Sequence, residues 1–170
     1  IADMIQVRSV VNAIARGGAS LGDVFHLATG LLGGGREMVT ASVAMALFDP
    51  GAGTVEYVHA GHPPLLLRRN DGSVEVLDGG RQPLLGLPIG QVRPGVVDLE
   101  PGAVLVAYTD GLIERRDESI DESVDRLVGI VADTDVSTGP LSERLDDVVR
   151  RCLGDDDPAD DVAIVLVRRR

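Results

Sequence analysis

Apolar positions at helical spacing open the chain. Ile1, Met4, Ile5, Val7, Val11 and Ile14 recur every three or four residues, which predicts an amphipathic helix over 1–16 that closes at Gly17-Gly18. Leu21, Val24, Phe25, Ala28, Leu31 and Leu32 repeat the pattern. Ser20 with Asp23 marks the start of that second helix, and Gly33-Gly34-Gly35 its stop. From residue 38 the signal changes to strands. Apolar runs over 39–48 and 54–60 flank the turn residues Asp49-Pro50-Gly51-Ala52-Gly53 and predict a hairpin. Runs over 64–69 and 73–77 predict another around Asn70-Asp71-Gly72, where Asn, Asp and Gly supply the positive φ that such turns require. Gly and Pro crowd 79–95, which reads as a surface loop. A short strand over 96–99, a strand over 103–108 and helices over about 121–132 and 140–153 follow. The last strand, 162–167, is an unbroken apolar run that suits burial on both faces. Meandering strands with helices before and after them predict one α+β layered domain.

Composition narrows the partners. A chain of 170 residues, 44% hydrophobic, can bury a substantial core, and with two Phe, two Tyr and no Trp that core is aliphatic. The same scarcity argues against recognition by stacked aromatic rings. Net charge is −11, and all 16 basic residues are Arg, so nucleic acid and anionic membrane surfaces are excluded as general partners. No apolar run reaches membrane-spanning length, so no membrane insertion is expected. Cys152 stands alone, which rules out an internal disulfide, suits a reducing cytoplasm and reads as a small buried hydrophobe. No signal-peptide pattern opens the chain, and Ile1 already reads as helix, so the sequence is expected to begin inside a domain.

Two acidic spots adjoin the two most apolar strands. Asp110 follows the run over 103–108, and Asp160-Asp161 precede the run over 162–167. If those strands are antiparallel neighbours, the two ends lie side by side. Two carboxylates about 4 Å apart repel by about 4 kcal/mol at an effective dielectric near 20, so such a pair needs a shared proton or a cation. Oxygen ligands without a Cys/His cluster suit Mg²⁺ or Mn²⁺ better than Zn²⁺. Thr-Asp-Gly is also an ordinary turn sequence, and Asp-Asp ahead of a strand can simply be solvated.

Four blocks, in order and spacing, carry a resemblance. They are Met38-Val39-Thr40-Ala41, Ala60-Gly61-His62-Pro63-Pro64, Tyr108-Thr109-Asp110-Gly111-Leu112-Ile113-Glu114 and Asp160-Asp161-Val162-Ala163-Ile164. Together they resemble the bacterial PPM-type (2C-class) serine/threonine phosphatases, in particular the SpoIIE/RsbU-like branch, over nearly the whole chain. The resemblance implies a PPM-phosphatase-like αββα sandwich, two antiparallel sheets flanked by helices. It implies a two-metal site holding Mn²⁺ or Mg²⁺ in the complete domain, where a metal-bridged water attacks phosphorus in line. Asp110 and Asp160 match the motif positions that ligate one metal, with Gly111 and Glu114 as supporting neighbours. The family's Gly-Asp-Val-x-Gly-His-Gly segment, which brings the bridging Asp, has no counterpart here. The domain is therefore expected to be N-terminally incomplete, with weak metal binding and little catalysis from these 170 residues alone. Helices over 1–35, strands over 38–109 and a metal loop, helices and last strand over 110–170 make up the expected domain.

By the same resemblance the substrate is a phosphorylated anti-sigma-factor antagonist in a stress-response pathway. Sensor domains upstream, and in some members kinase domains downstream, would make the chain part of a larger cytoplasmic regulator. Two other classes remain open: a non-catalytic phosphatase-like module that binds a partner protein, and an unrelated α+β structural domain. His62, in a tight Gly-His-Pro-Pro turn, reads as structural with its ring bonded to backbone, and His26 and His59 as structural or exposed. Arg115-Arg116 are candidates to meet substrate phosphate, residues 155–157 read as a solvated acidic loop, and Asp161 is expected to point away from Asp160. Gly33-Gly34-Gly35 lacks the Lys-Ser/Thr of a nucleotide loop and reads only as a helix stop.

Overall fold

The computed structural model describes residues 8, 12, 18–33, 39–115, 117–136, 139–154 and 160–170. Of the first predicted helix, only Arg8 and Asn12 fall within that set, and both are helical. Met38, Arg116 and the acidic run 155–157 lie outside it. The chain forms two compact units: residues 1–62 with 78–97, and residues 63–77 with 98–170.

In the first unit, helix α1 (Leu21–Gly33) opens behind Ser20, whose hydroxyl accepts from the amide of Asp23 at 3.2 Å and donates to its carboxylate at 2.7 Å. Its buried stripe, Leu21, Phe25, Ala28 and Leu32, packs with Val58, Ala60 and Leu85. Strands β1 (Val43–Asp49) and β2 (Thr54–Ala60) form the predicted hairpin, in antiparallel register from Val43↔Ala60 to Asp49↔Thr54. The Asp49 carboxylate accepts from the amides of Gly51 and Ala52 at 2.8 and 3.0 Å, closing the turn. The stretch read as a loop is more ordered than its composition suggests. It holds a two-residue strand, β5 (Arg81–Gln82), parallel to β2, and Leu85 exchanges two backbone bonds with Ala41. Gly86, at φ +88°, sits where any Cβ would overlap the Val39 carbonyl, so glycine alone fits beside that bridge.

The second unit is a four-stranded antiparallel sheet in the order β4-β3-β7-β8, where β3 is Leu65–Arg68, β4 Val74–Leu77, β7 Val104–Tyr108 and β8 Ile164–Arg168. Strand β6 (Gly95–Asp98) pairs instead with β2. Helices α2 (Ile120–Asp133) and α3 (Leu141–Leu153) share a core with this sheet, built from Leu66, Val104, Val106 and Tyr108 against Val124, Leu127, Ile130, Val131, Val148 and Cys152. Ser119 starts α2 with a full capping box: its hydroxyl accepts from the Glu122 amide, and the Glu122 carboxylate accepts from the Ser119 amide.

Strand β8 corrects one expectation. It is not buried on both faces: it begins at Ile164, lies at the sheet's edge, and leaves Val165 and Val167 55% and 45% exposed. An apolar run does not reveal how many faces are covered, and here one side alternates outward.

Arginine groups close the helix ends. Arg68, the last residue of β3, is 8% exposed and donates to Val131 O at 3.1 Å and Ala132 O at 3.5 Å in the last turn of α2. Arg151 reaches Ile130 O at 3.3 Å and the Asp133 carboxylate at 3.2 Å. These guanidinium groups supply the cations that the last turn of α2 lacks in its own sequence. Arg115 and Arg126 donate to Cys152 O near the end of α3, at 2.9 and 3.3 Å, where the last turn already carries Arg150 and Arg151.

Candidate metal centre

Strand β7 pairs with β8 in antiparallel register from Val104↔Arg168 to Tyr108↔Ile164, so the two acidic segments leave the sheet at the same end. One side turns at once into a 3-10 helix over Asp110–Leu112, closed by amides of Ile113 and Glu114 that both donate to Asp110 O at 2.8 Å. On the other side, residues 160–163 run in irregular backbone before β8 begins. The two segments touch. A Cβ placed on Gly111 would stand 2.8 Å from Asp160 O and 2.7 Å from Asp161 O.

Each acid binds one of its own carboxylate oxygens to the next amide. Asp110 Oδ1 accepts from Gly111 N at 3.0 Å, and Asp160 Oδ1 from Asp161 N at 2.7 Å. Both residues are exposed, and neither Oδ2 is hydrogen-bonded among the described residues. Two neighbouring hard oxygen donors suit a divalent ion of the magnesium type, which is bound through one or two carboxylates, waters and substrate phosphate. Among the described residues no group of three or more His, Cys, Asp or Glu gathers for a metal.

The other candidates lie as follows. Glu114 is exposed, and its amide rather than its carboxylate joins the Asp110 turn. Arg115 turns its guanidinium to Cys152 O. Asp161 lies three residues ahead of β8, so no strand alternation sets its direction; its carbonyl accepts from the Thr109 hydroxyl at 2.9 Å. His59 is buried, with Nδ1 3.1 Å from His62 O and Nε2 3.6 Å from Asp78 Oδ1, within the first unit. Cys152 is buried and unpaired with a disulfide partner, and burial pushes its thiol up to about 11.

Sequence reasoning passed over Thr109 and Tyr108. Tyr108 belongs to the motif, yet its hydroxyl points into the core, buried and without a hydrogen-bond partner among the described residues. Burial raises its pKa well above the usual phenol range, so it is no acid or base near neutrality. Tyr108→Phe is therefore expected to leave metal uptake within about twofold and to hold or raise stability by up to about 1 kcal/mol, since an unsatisfied hydroxyl is removed. Urea unfolding and Mn²⁺ titration check this; a large loss in either would mean the phenol has a partner.

Comparison with solved structures places this fold among the PP2C-type phosphatases. The chain is similar to the RsbU and RsbW domains of a Mycobacterium tuberculosis protein, with a TM-score of 0.86 and 25% identity over 99% of this chain and 47% of that one. It is similar also to the PP2C phosphatase domain, with a fragment of the regulatory domain, of SpoIIE from Bacillus subtilis (TM-score 0.78, 15% identity, 98% of this chain and 49% of that one). A third similar structure is RsbX in complex with magnesium (TM-score 0.68, 13% identity, 97% and 71%). All 170 residues match the family described as Stage II sporulation protein E (SpoIIE), and the chain belongs to that family of PPM-type phosphatases. It spans about half the length of the first two of these structures, 47% and 49%.

Proposed function

We propose that this chain is part of a metal-dependent phosphoserine/phosphothreonine protein phosphatase in which Asp110 and Asp160 hold one divalent ion. The observation that carries this reading is the contact between the two acidic segments, with one oxygen of each carboxylate left for a ligand. When bound, Mg²⁺ or Mn²⁺ supplies a Lewis acid that neutralises charge on the phosphoryl group and lowers the pKa of water. The protein's own part is to present the two carboxylates on short, internally bonded turns at the end of a sheet, so that little conformational freedom is lost on binding. The magnesium in the RsbX structure supports the choice of ion.

The substrate in this reading is a phosphorylated anti-sigma-factor antagonist in a sigma-factor (stress-response) pathway, acted on in the cytoplasm. Sensor and kinase-like domains would share the longer chain. The domain organisation proposed is a single PPM-type domain over 1–170, with Gly111 and Glu114 beside the ligands. Support comes from the similarity to an RsbU domain joined to an RsbW domain, and to SpoIIE with part of its regulatory domain.

The test is hydrolysis of p-nitrophenyl phosphate, then of a phosphoserine-bearing antagonist, by the full-length protein with Mn²⁺ and with EDTA. Turnover that requires Mn²⁺ is expected. A protein that takes up Mn²⁺ but releases no phosphate from either substrate would overturn the enzymatic reading.

A further inference from the structure

Contacts to the segment that carries Asp160 flank Asp110 on both sides. The β7–β8 ladder ends at Tyr108↔Ile164. Beyond it the Thr109 amide still donates to Ala163 O at 3.0 Å, but the return bond runs to a side chain: Ala163 N donates to Thr109 Oγ1 at 2.8 Å. The same hydroxyl donates its proton to Asp161 O at 2.9 Å. One side-chain oxygen thus holds the backbone at two points, one and three residues past Asp160. On the other side of Asp110, Gly111 admits the carbonyls of Asp160 and Asp161 to within 2.8 and 2.7 Å of where a Cβ would stand. Its φ lies outside the left-handed region, so space rather than backbone conformation is what glycine provides there.

We infer that Thr109 is a positioning residue for the metal site: its hydroxyl fixes the 161–163 backbone against the Asp110 turn and so sets the placement of Asp160 relative to Asp110. The inference rests on the proposed reading that these two acids share one ion. Irregular backbone ahead of an edge strand has no ladder to hold it, and here the Thr109 hydroxyl, beside one backbone bond from the Thr109 amide, extends the pairing past the last ladder residue. Magnesium-type ions demand near-ideal geometry at about 2.0–2.1 Å, so a drift of a few tenths of an ångström between two ligands weakens binding. Groups that orient ligands from behind typically contribute 10–100-fold in metal affinity.

Thr109→Val keeps the branched shape and removes the hydroxyl's bonds to Asp161 O and Ala163 N, with its longer one to Ala163 O at 3.5 Å; Thr109→Ser keeps the hydroxyl. Mn²⁺ affinity of the full-length protein is measured by calorimetry or by loss of the free-ion electron paramagnetic resonance signal, beside thermal unfolding in EDTA. The Val variant is expected to bind Mn²⁺ about 10–100-fold more weakly, and the Ser variant within about threefold of wild type. Val and wild type binding alike would show a purely structural threonine and overturn the inference, as would a Ser variant as weak as Val. Should the Val variant not fold, Gly111→Ala decides: it presses on the Asp161 carbonyl that Thr109 holds, and on that of Asp160, from the other side, and unchanged Mn²⁺ affinity overturns the inference. Wild type that takes up no Mn²⁺ removes the metal reading itself, a result distinct from binding that ignores Thr109.

Discussion

Asp110→Asn is expected to lower the metal-dependent turnover of the full-length protein on the order of 10³-fold, about 4 kcal/mol of transition-state stabilisation, with the folded state intact. The asparagine keeps the size of the side chain and an oxygen to accept from Gly111 N, so the 3-10 turn survives. What it loses is the second oxygen, the one left for the ion: an NH2 group stands there instead, a donor that cannot ligate a hard cation. The effect should come with weaker Mn²⁺ binding and a shallow, right-shifted Mn²⁺ dependence. Asp161→Asn is the matched control, because Asp161 contributes its carbonyl, not its carboxylate, to the described contacts, and turnover within about threefold is expected. Equal losses in both variants would point to the field of the acidic cluster rather than to ligation by Asp110.

The second large effect concerns stability. Arg68→Leu should lower the free energy of unfolding by about 2 kcal/mol, although leucine suits a strand that begins Leu65-Leu66-Leu67. Replacing a buried charge with an apolar side chain is often neutral when its partners leave too. Here the partners stay: Ala132 O loses this donor, and Val131 O keeps only the Thr134 amide at 3.3 Å. A carbonyl that loses its donor costs about 1–3 kcal/mol, and the negative end of the helix loses its nearest buried cation. Arg68→Lys should recover less than half, since one ammonium does not span carbonyls that a planar fork reaches together. Urea unfolding measures both, and a loss under about 0.5 kcal/mol for the leucine variant would mean that water replaces the guanidinium.

These two residues mark what a linear reading reaches. Asp110 was legible because a turn motif and an apolar strand name its place, and the partner strand was legible from a second apolar run. The two hairpins were legible for a similar reason, since Asp49, Asp71 and Gly72 bond within their own turns, although in the second turn only Gly72 takes the positive φ expected of all three residues and Asn70 reaches out to Pro101 O. Arg68 was not legible: beside Arg69 it looks like the polar end of a strand, and its partners lie 63 and 64 residues away. Thr109 was hidden similarly, its value arising only once residues 52 and 54 positions later come alongside. Strand β5 has two residues, too few for any period to show. The burial of β8 was misjudged because composition reports affinity for a core, not the number of layers that cover a strand.

That misjudged strand has a practical consequence. Among the described residues nothing pairs with the outer edge of β8, and Val165 and Val167 offer apolar surface beside a row of free backbone groups. Such an edge is a template for another strand, and concentration-dependent self-association follows wherever it stays open. The net charge of −11 repels copies of the chain, so aggregation should be held back at low ionic strength and released as salt screens that repulsion. Solubility of this chain in the laboratory is thus tied to one edge strand and to the buffer around it.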